Sequence, residues 1–422
     1  MKRALLGLLQ RTPCVAQLVL RSHLHWVSLA DIMAAGGQPL RQRLTHLHLQ
    51  GRHAFTSLQP LVSLPELHVL HLDDHHSITD LTSLTSCTAR GELLLSCSPA
   101  TSLSPLAAMP QLRSLKFVQH WDMTVPDLAP LRACTRLTEL YLSGCNYIIC
   151  EDLEPLMNMV SLERPSLAGC GWLQDLGPLS GFARVQHIDV SKCPFHDRQP
   201  IAQPTLVGLV ATDRHFSFSL ALLRNCPKLR VLNVSCGREV EDFQHLSCLT
   251  SLQSVMASHC ESLESFTCFS GSMPSLLALE ASYTGVTDIQ ALVTAPQLML
   301  LALDYCDLPS SLSPLASCSS LQVLSLSGIG GDRNLDLAPI SCLRSLRYLD
   351  VRACQLLSAP GTAPAAALLS LVPQLRELCV CLGMLPAELA AQLASCLLVG
   401  DVDVLRGSCA VQERWRRREV WV

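Results

Sequence analysis

Thiols and imidazoles are the side chains with the most chemical reach in this sequence of 422 residues, which holds 21 cysteines and 15 histidines. A thiolate attacks carbonyls and holds soft metals, and an imidazole ligates metals or relays protons near neutral pH. The spacing favours neither use. No two cysteines stand three apart, so the Cys-x-x-Cys half of a zinc site is absent. Nine histidines crowd between His23 and His76. Among them His46, His48 and His71 alternate with Leu47, Leu49, Leu70 and Leu72, as residues on one face of extended chain would, and His75-His76 follow in a turn. Metal ligands must converge to about 2 Å, which adjacent strands could arrange for two or three of these rings. The reading adopted instead is a polar recognition surface that titrates near neutrality, with no metal and no cofactor.

Other catalytic signatures are missing. There is no Walker loop, no His-Glu-x-x-His and no nucleophile elbow. Gly328-Ile329-Gly330-Gly331 lacks the spacing and following helix of a dinucleotide turn. Asp73-Asp74 and Asp401-Val402-Asp403 are carboxylate pairs without further ligands, better read as turn or surface. Charged residues make up 16% of the chain, aromatics 5%, and the net charge is −4. Globular chains carry about 25% charged residues, so a core must run along most of the length, and no basic field draws the chain to nucleic acid. No apolar run reaches the ~18–20 residues of a membrane span. The expectation is a protein that is not an enzyme, binds no nucleic acid and spans no membrane.

The elements that position these residues follow from a repeat. The pattern Leu-x-x-Leu-x-Leu recurs at Leu44-Leu47-Leu49, Leu67-Leu70-Leu72, Leu112-Leu115-Phe117, Leu137-Leu140-Leu142, Val185-Ile188-Val190 and Leu229-Leu232-Val234. It continues at Leu252-Val255-Ala257, Leu276-Leu279-Ala281, Leu298-Leu301-Leu303, Leu321-Leu324-Leu326, Leu346-Leu349-Val351 and Leu375-Leu378-Val380. Weaker copies at Val15-Leu18-Leu20, Leu93-Leu95, Leu162-Leu167, Leu206-Leu209 and Val399-Val402-Val404 bring the total to sixteen or seventeen units, about 23 residues apart. The second half of each unit is patterned too: Asp127-Leu128-x-Pro130-Leu131, Asp152-Leu153-x-Pro155-Leu156 and Asp175-Leu176-x-Pro178-Leu179 share one design. Asp80 and Asp288 keep its first half, and Pro60, Pro105, Pro314 and Pro339 its second. Asp caps the orphan N–H groups of a short helical turn, and Pro in that first turn loses no bond. Each unit thus reads as strand, tight turn and short outer helical segment.

These units resemble the short leucine-rich repeats of the SDS22-like and internalin-like class and, in their cysteine content and irregularity, the large kinetoplastid repeat families. The resemblance implies an α/β solenoid, a leucine-rich-repeat horseshoe with a parallel concave sheet and mostly short 3-10 or helical segments on the convex side. It also assigns Cys145, Cys170, Cys193, Cys260, Cys306 and Cys354, eight residues after the first aliphatic of their motifs, to the slot that bonds the backbone leaving the strand. Cys134, Cys226, Cys318 and Cys396 form a second series, three residues before the motif. Buried free cysteines packed as small hydrophobes suit a reducing compartment, the cytoplasm before the nucleus, with mitochondrial import least favoured.

The solenoid is expected over 1–404, with an irregularity between Pro165 and His215, where Pro165 takes a strand slot and the Leu206 unit is poor; 405–422 would be a basic cap or tail. The long steps at Ala34-Ala35-Gly36-Gly37 and at Ala359–Leu371 mark a loop and an outer helix. No cap precedes Leu5, which suggests a frayed or incomplete start. Strand alternation then maps the concave face: His46, His48, His71 and Lys116, then Glu139, Tyr141, Arg164, His187 and Asp189, then Glu280, Asp304, Tyr348, Asp350, Glu377, Asp401 and Asp403. The map grades from basic and His-bearing to acidic, with Tyr141, Tyr348 and Arg164 as anchors. The expected function is a monomeric, non-catalytic scaffold that binds protein partners on this face. The alternative is a regulatory or targeting subunit of an enzyme complex, such as a phosphatase or a ubiquitin ligase.

Overall fold

The computed structural model describes residues 2–12, 15–21, 28–50, 56–73, 78–86, 91–96, 102–118, 124–125, 127–142, 144, 147–148, 153–171, 173, 176, 179, 181–194, 201, 203–213, 219–238, 240–308, 312–329, 335–354, 368–380 and 403–404. The chain divides into two compact units, Met1–Leu229 and Arg230–Val422.

In the first unit the repeat motif forms β1 (Gln17–Arg21), β2 (His46–Gln50), β3 (Val69–Asp73), β4 (Glu92–Ser96) and β5 (Ser114–Val118). It continues through β7 (Glu139–Tyr141), β9 (Arg164–Ser166), β10 (His187–Asp189) and β11 (Gly208–Val210), while β6 (Thr124–Val125) and β8 (Tyr147–Ile148) pair with each other apart. Successive strands are parallel and in one register, so Leu47, Leu70, Leu93, Leu115 and Leu140 form a column of fully buried side chains. The second unit repeats the plan with β12 (Val231–Asn233), β13 (Ser254–Met256), β14 (Ala278–Glu280), β15 (Leu300–Ala302), β16 (Val323–Ser325), β17 (Tyr348–Asp350), β18 (Glu377–Cys379) and β19 (Asp403–Val404). Its column runs Leu232, Val255, Leu279, Leu301, Leu324, Leu349 and Leu378, all buried. A single coil buries too little apolar surface to offset the backbone entropy of ordering it; stacking supplies the remainder.

The chain crosses from strand to strand through 3-10 turns such as Gln59–Ser63, Ser104–Ala108, Ala129–Ala133, Ser313–Ser317 and Ala338–Cys342, each with Pro in its first turn. The Asp caps form as the motif implies. Asp127 accepts from the Ala129 N–H at 2.8 Å, Asp288 from Gln290 at 2.8 Å, and Asp80 from Thr82 at 2.8 Å. Asp152, Asp175 and Pro178 lie outside the described residues.

Two expectations about departures from the repeat resolve differently. Ala34-Ala35-Gly36-Gly37 belongs to a helix, α2 (Leu29–Arg43), that packs against α1 (Lys2–Arg11), and not to a loop. A capping box between Ser28 and Asp31 starts α2, and Leu29, Ile32, Met33, Gly36 and Leu40 bury one face at helical spacing. Gly36 fits because Leu40 lies over it; a methyl there would collide with the Leu40 side chain. The kink comes one residue later, at Gly37 (φ +60°). Pro165, by contrast, acts as its chemistry dictates. β9 pairs with β7 over three residues but meets β10 at the single pair Ser166–Asp189, the side to which Pro165 has no N–H to give. Of the expected outer helix, Leu368–Leu371 is helical; 355–367 and 405–422 lie outside the described residues.

The cysteines fall into the two expected series. Cys170, Cys193, Cys260, Cys306 and Cys354 donate to the carbonyls of Leu142, Leu167, Val234, Ala281 and Leu326 in the preceding coil at 2.9–3.2 Å. Cys134, Cys226 and Cys318 donate to Leu106, Ile201 and Leu292, each at 3.5 Å. Burial pushes the thiols up, to about 12 for Cys193 and Cys260 and about 11 for Cys134, Cys226, Cys318 and Cys354. They stay protonated and act as donors, not nucleophiles. Cys145 and Cys396 lie outside the described residues.

Candidate functional site

Strand alternation places two columns of side chains on the sheet face of the first unit that points away from the leucine core. One runs Gln17, His46, Val69, Glu92, Ser114, Glu139 and Arg164; the other runs Val19, His48, His71, Leu94, Lys116, Tyr141 and Ser166. The parallel ladder sets neighbours about 4.8 Å apart, so these side chains meet without further help. His48 and His71 make an edge-on ring contact at 5.2 Å between centroids. His71 Nε2 lies 3.0 Å from Glu92 Oε1, the same oxygen lies 3.6 Å from Lys116 Nζ, and Lys116 sits 5.2 Å from the centre of the Tyr141 ring. A polar ribbon thus joins His48, His71, Glu92, Lys116 and Tyr141 across five strands, all half-buried.

The rest of the mapped face in this unit continues that ribbon. Glu139 accepts from Ser114 Oγ at 3.0 Å and stands opposite Arg164 in the ladder. The His187 ring packs over Gly208, where a methyl group would come within 2.5 Å of Nδ1. Burial holds His187 below the usual histidine range and the Arg164 guanidinium adds to the effect; His48 is lowered by burial and then by His71. His46 Nδ1 lies 2.8 Å from Thr45 Oγ1, and Asp189 accepts from the Ser191 N–H at 3.0 Å, closing its own turn. Glu92 is the member that sequence reading missed. It precedes a motif copy whose first leucine is absent, and the alternation rule applied there would have found it.

The second unit departs from the map. Glu280, Tyr348 and Asp350, expected at a solvated face, are 5%, 7% and 1% exposed. Alternation fixed the side on which they leave the strand but not what covers them, and on that side their ladder neighbours Ala278, Leu300, Ala302 and Ser325 are buried as well. Asp350 is clamped by Arg352, with Nε at 2.9 Å and Nη2 at 2.6 Å. The Tyr348 hydroxyl accepts from Cys379 Sγ at 3.5 Å. Asp304 accepts from Ser325 Oγ at 2.6 Å and from the Ser327 N–H at 2.8 Å, and burial raises its pKa. Glu377 is half-buried; Asp401 lies outside the described residues, and only the backbone of Asp403 is described.

A second feature of that unit lies in the turns after its strands. His259, Tyr283 and Tyr305 each hold a positive φ, of 63°, 58° and 56°. Their rings stack, with centroids 4.6 Å and 4.7 Å apart and planes within 9° and 16° of parallel. Left-handed backbone costs a non-glycine residue about 1–2 kcal/mol, and each stacked pair returns about 0.5–1.5 kcal/mol. The same slot is left-handed at Lys192, Cys236 and Ala353 and is glycine at Gly328 (φ +67°), so the turn imposes this backbone whatever residue stands there, and the stacked rings return part of its cost. Among the described residues no group of three or more His, Cys, Asp or Glu could hold a metal ion, and no helix is long and apolar enough to cross a membrane.

No family model and no curated protein sequence matches the chain. Solved structures do. A leucine-rich-repeat protein of Leptospira interrogans superposes over 94% of this chain and 98% of its own, with a TM-score of 0.64 and 15% identity. The internalin InlF of Listeria monocytogenes covers 82% of this chain and 92% of its own, with a TM-score of 0.55 and 21% identity. Mouse RP105, in its complex with MD-1, covers 87% of this chain and 75% of its own, with a TM-score of 0.58 and 16% identity. These comparisons lend no support to the kinetoplastid resemblance. Parallel one-register ladders, 3-10 crossovers and these neighbours together give the chain the leucine-rich-repeat solenoid fold.

Proposed function

We propose that this chain is a non-catalytic interaction scaffold that binds a protein partner on the sheet face of its first unit. The observation that carries this reading is the ribbon from His48 through His71, Glu92 and Lys116 to Tyr141, half-exposed and laid across consecutive strands. It carries one carboxylate and one ammonium side by side, Glu92 and Lys116, and such a charge pair sets orientation and encounter rate for a complementary protein surface. Tyr141 and Arg164 belong to the residue types that dominate interface energies. Two of the solved neighbours support the reading only by fold, and the third, mouse RP105, stands in a complex with another protein, MD-1.

Proximity labelling in native cells, comparing the wild-type chain with a Lys116→Ala/Tyr141→Ala variant, tests it. Partners labelled by the wild type and lost by the variant are expected. An unchanged set of partners sinks the assignment of the face. Recurrent labelling of the subunits of one enzyme would identify the scaffold as a regulatory or targeting subunit.

A further inference from the structure

The ring stack of the second unit stands open to solvent: Tyr283 is 45% exposed and Tyr305 50%. Tyr283 has a ring on both faces and Tyr305 lies between Tyr283 and Gly328, so for these two the ring edges and phenol hydroxyls are what solvent meets. The exposed charge beside it is acidic but for Arg238. From Val240 to Asp307 the sequence contains eight carboxylates and neither lysine nor arginine. Glu261 and Asp307, each two residues beyond a ring of the stack, are exposed, as is Glu264. Arg238 reaches the ladder from the preceding coil, 3.4 Å from Glu261, with both side chains more than half exposed.

The geometry points to a second docking surface here, distinct from the first unit's sheet face, that takes an arginine-bearing segment of a partner protein. Guanidinium groups donate to the phenol oxygens and to the Glu261, Glu264 and Asp307 carboxylates, and their methylene stems lie along the ring edges. Carboxylates alone would attract any cation. The phenol oxygens beside them add acceptors that the planar guanidinium, with its several N–H donors, engages together with a carboxylate, which favours arginine over lysine.

Titration of a fluorescein-labelled Arg-Gly repeat peptide against the full chain, followed by anisotropy, reads this out, with Lys-Gly and Glu-Gly repeats for comparison. The Arg-Gly peptide is expected to bind saturably, more tightly than Lys-Gly, and Glu-Gly not at all. Tyr283→Gly/Tyr305→Gly removes the rings while relieving the positive-φ backbone, so the turns are retained; it is expected to weaken Arg-Gly binding about tenfold. Tyr283→Phe/Tyr305→Phe keeps the stack and is expected to lose only part of that. Glu92→Gln/Lys116→Gln on the first unit's face is expected to leave the peptide affinity unchanged. Absence of binding overturns the proposal, as does binding that Glu261→Gln/Glu264→Gln/Asp307→Asn abolishes while the ring variants leave it intact. Sedimentation of the full chain covers the remaining occupant. Self-association lost in the glycine variant, with no peptide binding, would make the surface a contact between copies and likewise overturn it.

Discussion

The Tyr305 ring lies over the α-carbon of Gly328, so close that a methyl group there would stand 2.5 Å from Cε1. Gly328→Ala must therefore both displace the ring and hold alanine at φ +67°, and the backbone part alone is worth about 1–2 kcal/mol. Urea unfolding should show a loss of at least that size. In a Tyr305→Ala background the same substitution should lose only the backbone part. Equal losses in both backgrounds would show that the ring does not press on this turn.

The caps are individually testable. Asp288→Ala removes the acceptor for the Gln290 N–H at the entry to the turn Gln290–Thr294, and caps of this kind contribute about 0.5–2 kcal/mol. Asp288→Asn or Asp288→Ser should recover most of the urea midpoint, since either oxygen can accept the same bond. Failure of both to recover it would point to the charge and not the cap.

The ribbon of the first unit separates binding from stability. Glu92 and Lys116 are each about one-third exposed, 31% and 32% by side chain, and partly exposed ion pairs contribute about 0–1 kcal/mol. Glu92→Gln should leave the unfolding midpoint within that range while removing the negative charge that faces both His71 and Lys116. A large loss of stability would mean that the ribbon is a structural device and not a recognition surface.

Histidine titration gives a signed pH dependence. His187 has its folded pKa lowered by burial and by Arg164, so the unfolded chain takes up its proton first as pH falls. Its contribution is fully present above the unfolded value of about 6.5 and is lost as pH drops from there through the folded value. The urea midpoint should fall on going from about pH 7.5 to about pH 5.5. His187→Asn should reduce that fall; an unchanged slope would place the pH sensitivity elsewhere.

Thiol labelling should sort the cysteines by environment. Cys248 and Cys342 are exposed, whereas burial pushes Cys193 and Cys260 up to about 12. Iodoacetamide at neutral pH should modify the first two in the native chain and the others only after denaturation. Early modification of Cys193 or Cys260 would contradict the packed hydrogen-bonded slots described here.

Most of the fold was legible because its information is periodic. Leu47, Leu70 and Leu115 recur at one slot, Asp127 and Asp288 at another, and the cysteines at two more, so each coil repeats the reading of the last. The solvent-facing residues were legible only as far as alternation reaches. That rule found His48, His71, Lys116 and Tyr141, yet it could not tell that Tyr348 and Asp350 would be covered, because cover depends on the size and pairing of neighbours one and two coils away. The ring stack was invisible for a different reason. The slot two residues past each strand motif is left-handed with Lys192, Cys236, His259, Tyr283, Tyr305 or Ala353 in it, against the preference of each, and only the coordinates show that His259, Tyr283 and Tyr305 bring their rings into line there. The helix α2 was read as a loop because Gly36-Gly37 outweighed the capping box at Ser28 and Asp31.

The thiol-to-carbonyl bonds constrain how such a chain can change over time. Cys193 reaches back to Leu167, Cys260 to Val234 and Cys354 to Leu326, always to the coil before. A duplication or deletion that spans one whole coil hands every such bond to an equivalent neighbour, whereas a shift of a single residue inside a strand breaks the bonds on both sides and turns the leucines outward. Within a coil the slack lies outside the strand and its thiol slot: paired strands stand 29 residues apart from Gln17 to His46 and 21 from His187 to Gly208 while the register is kept.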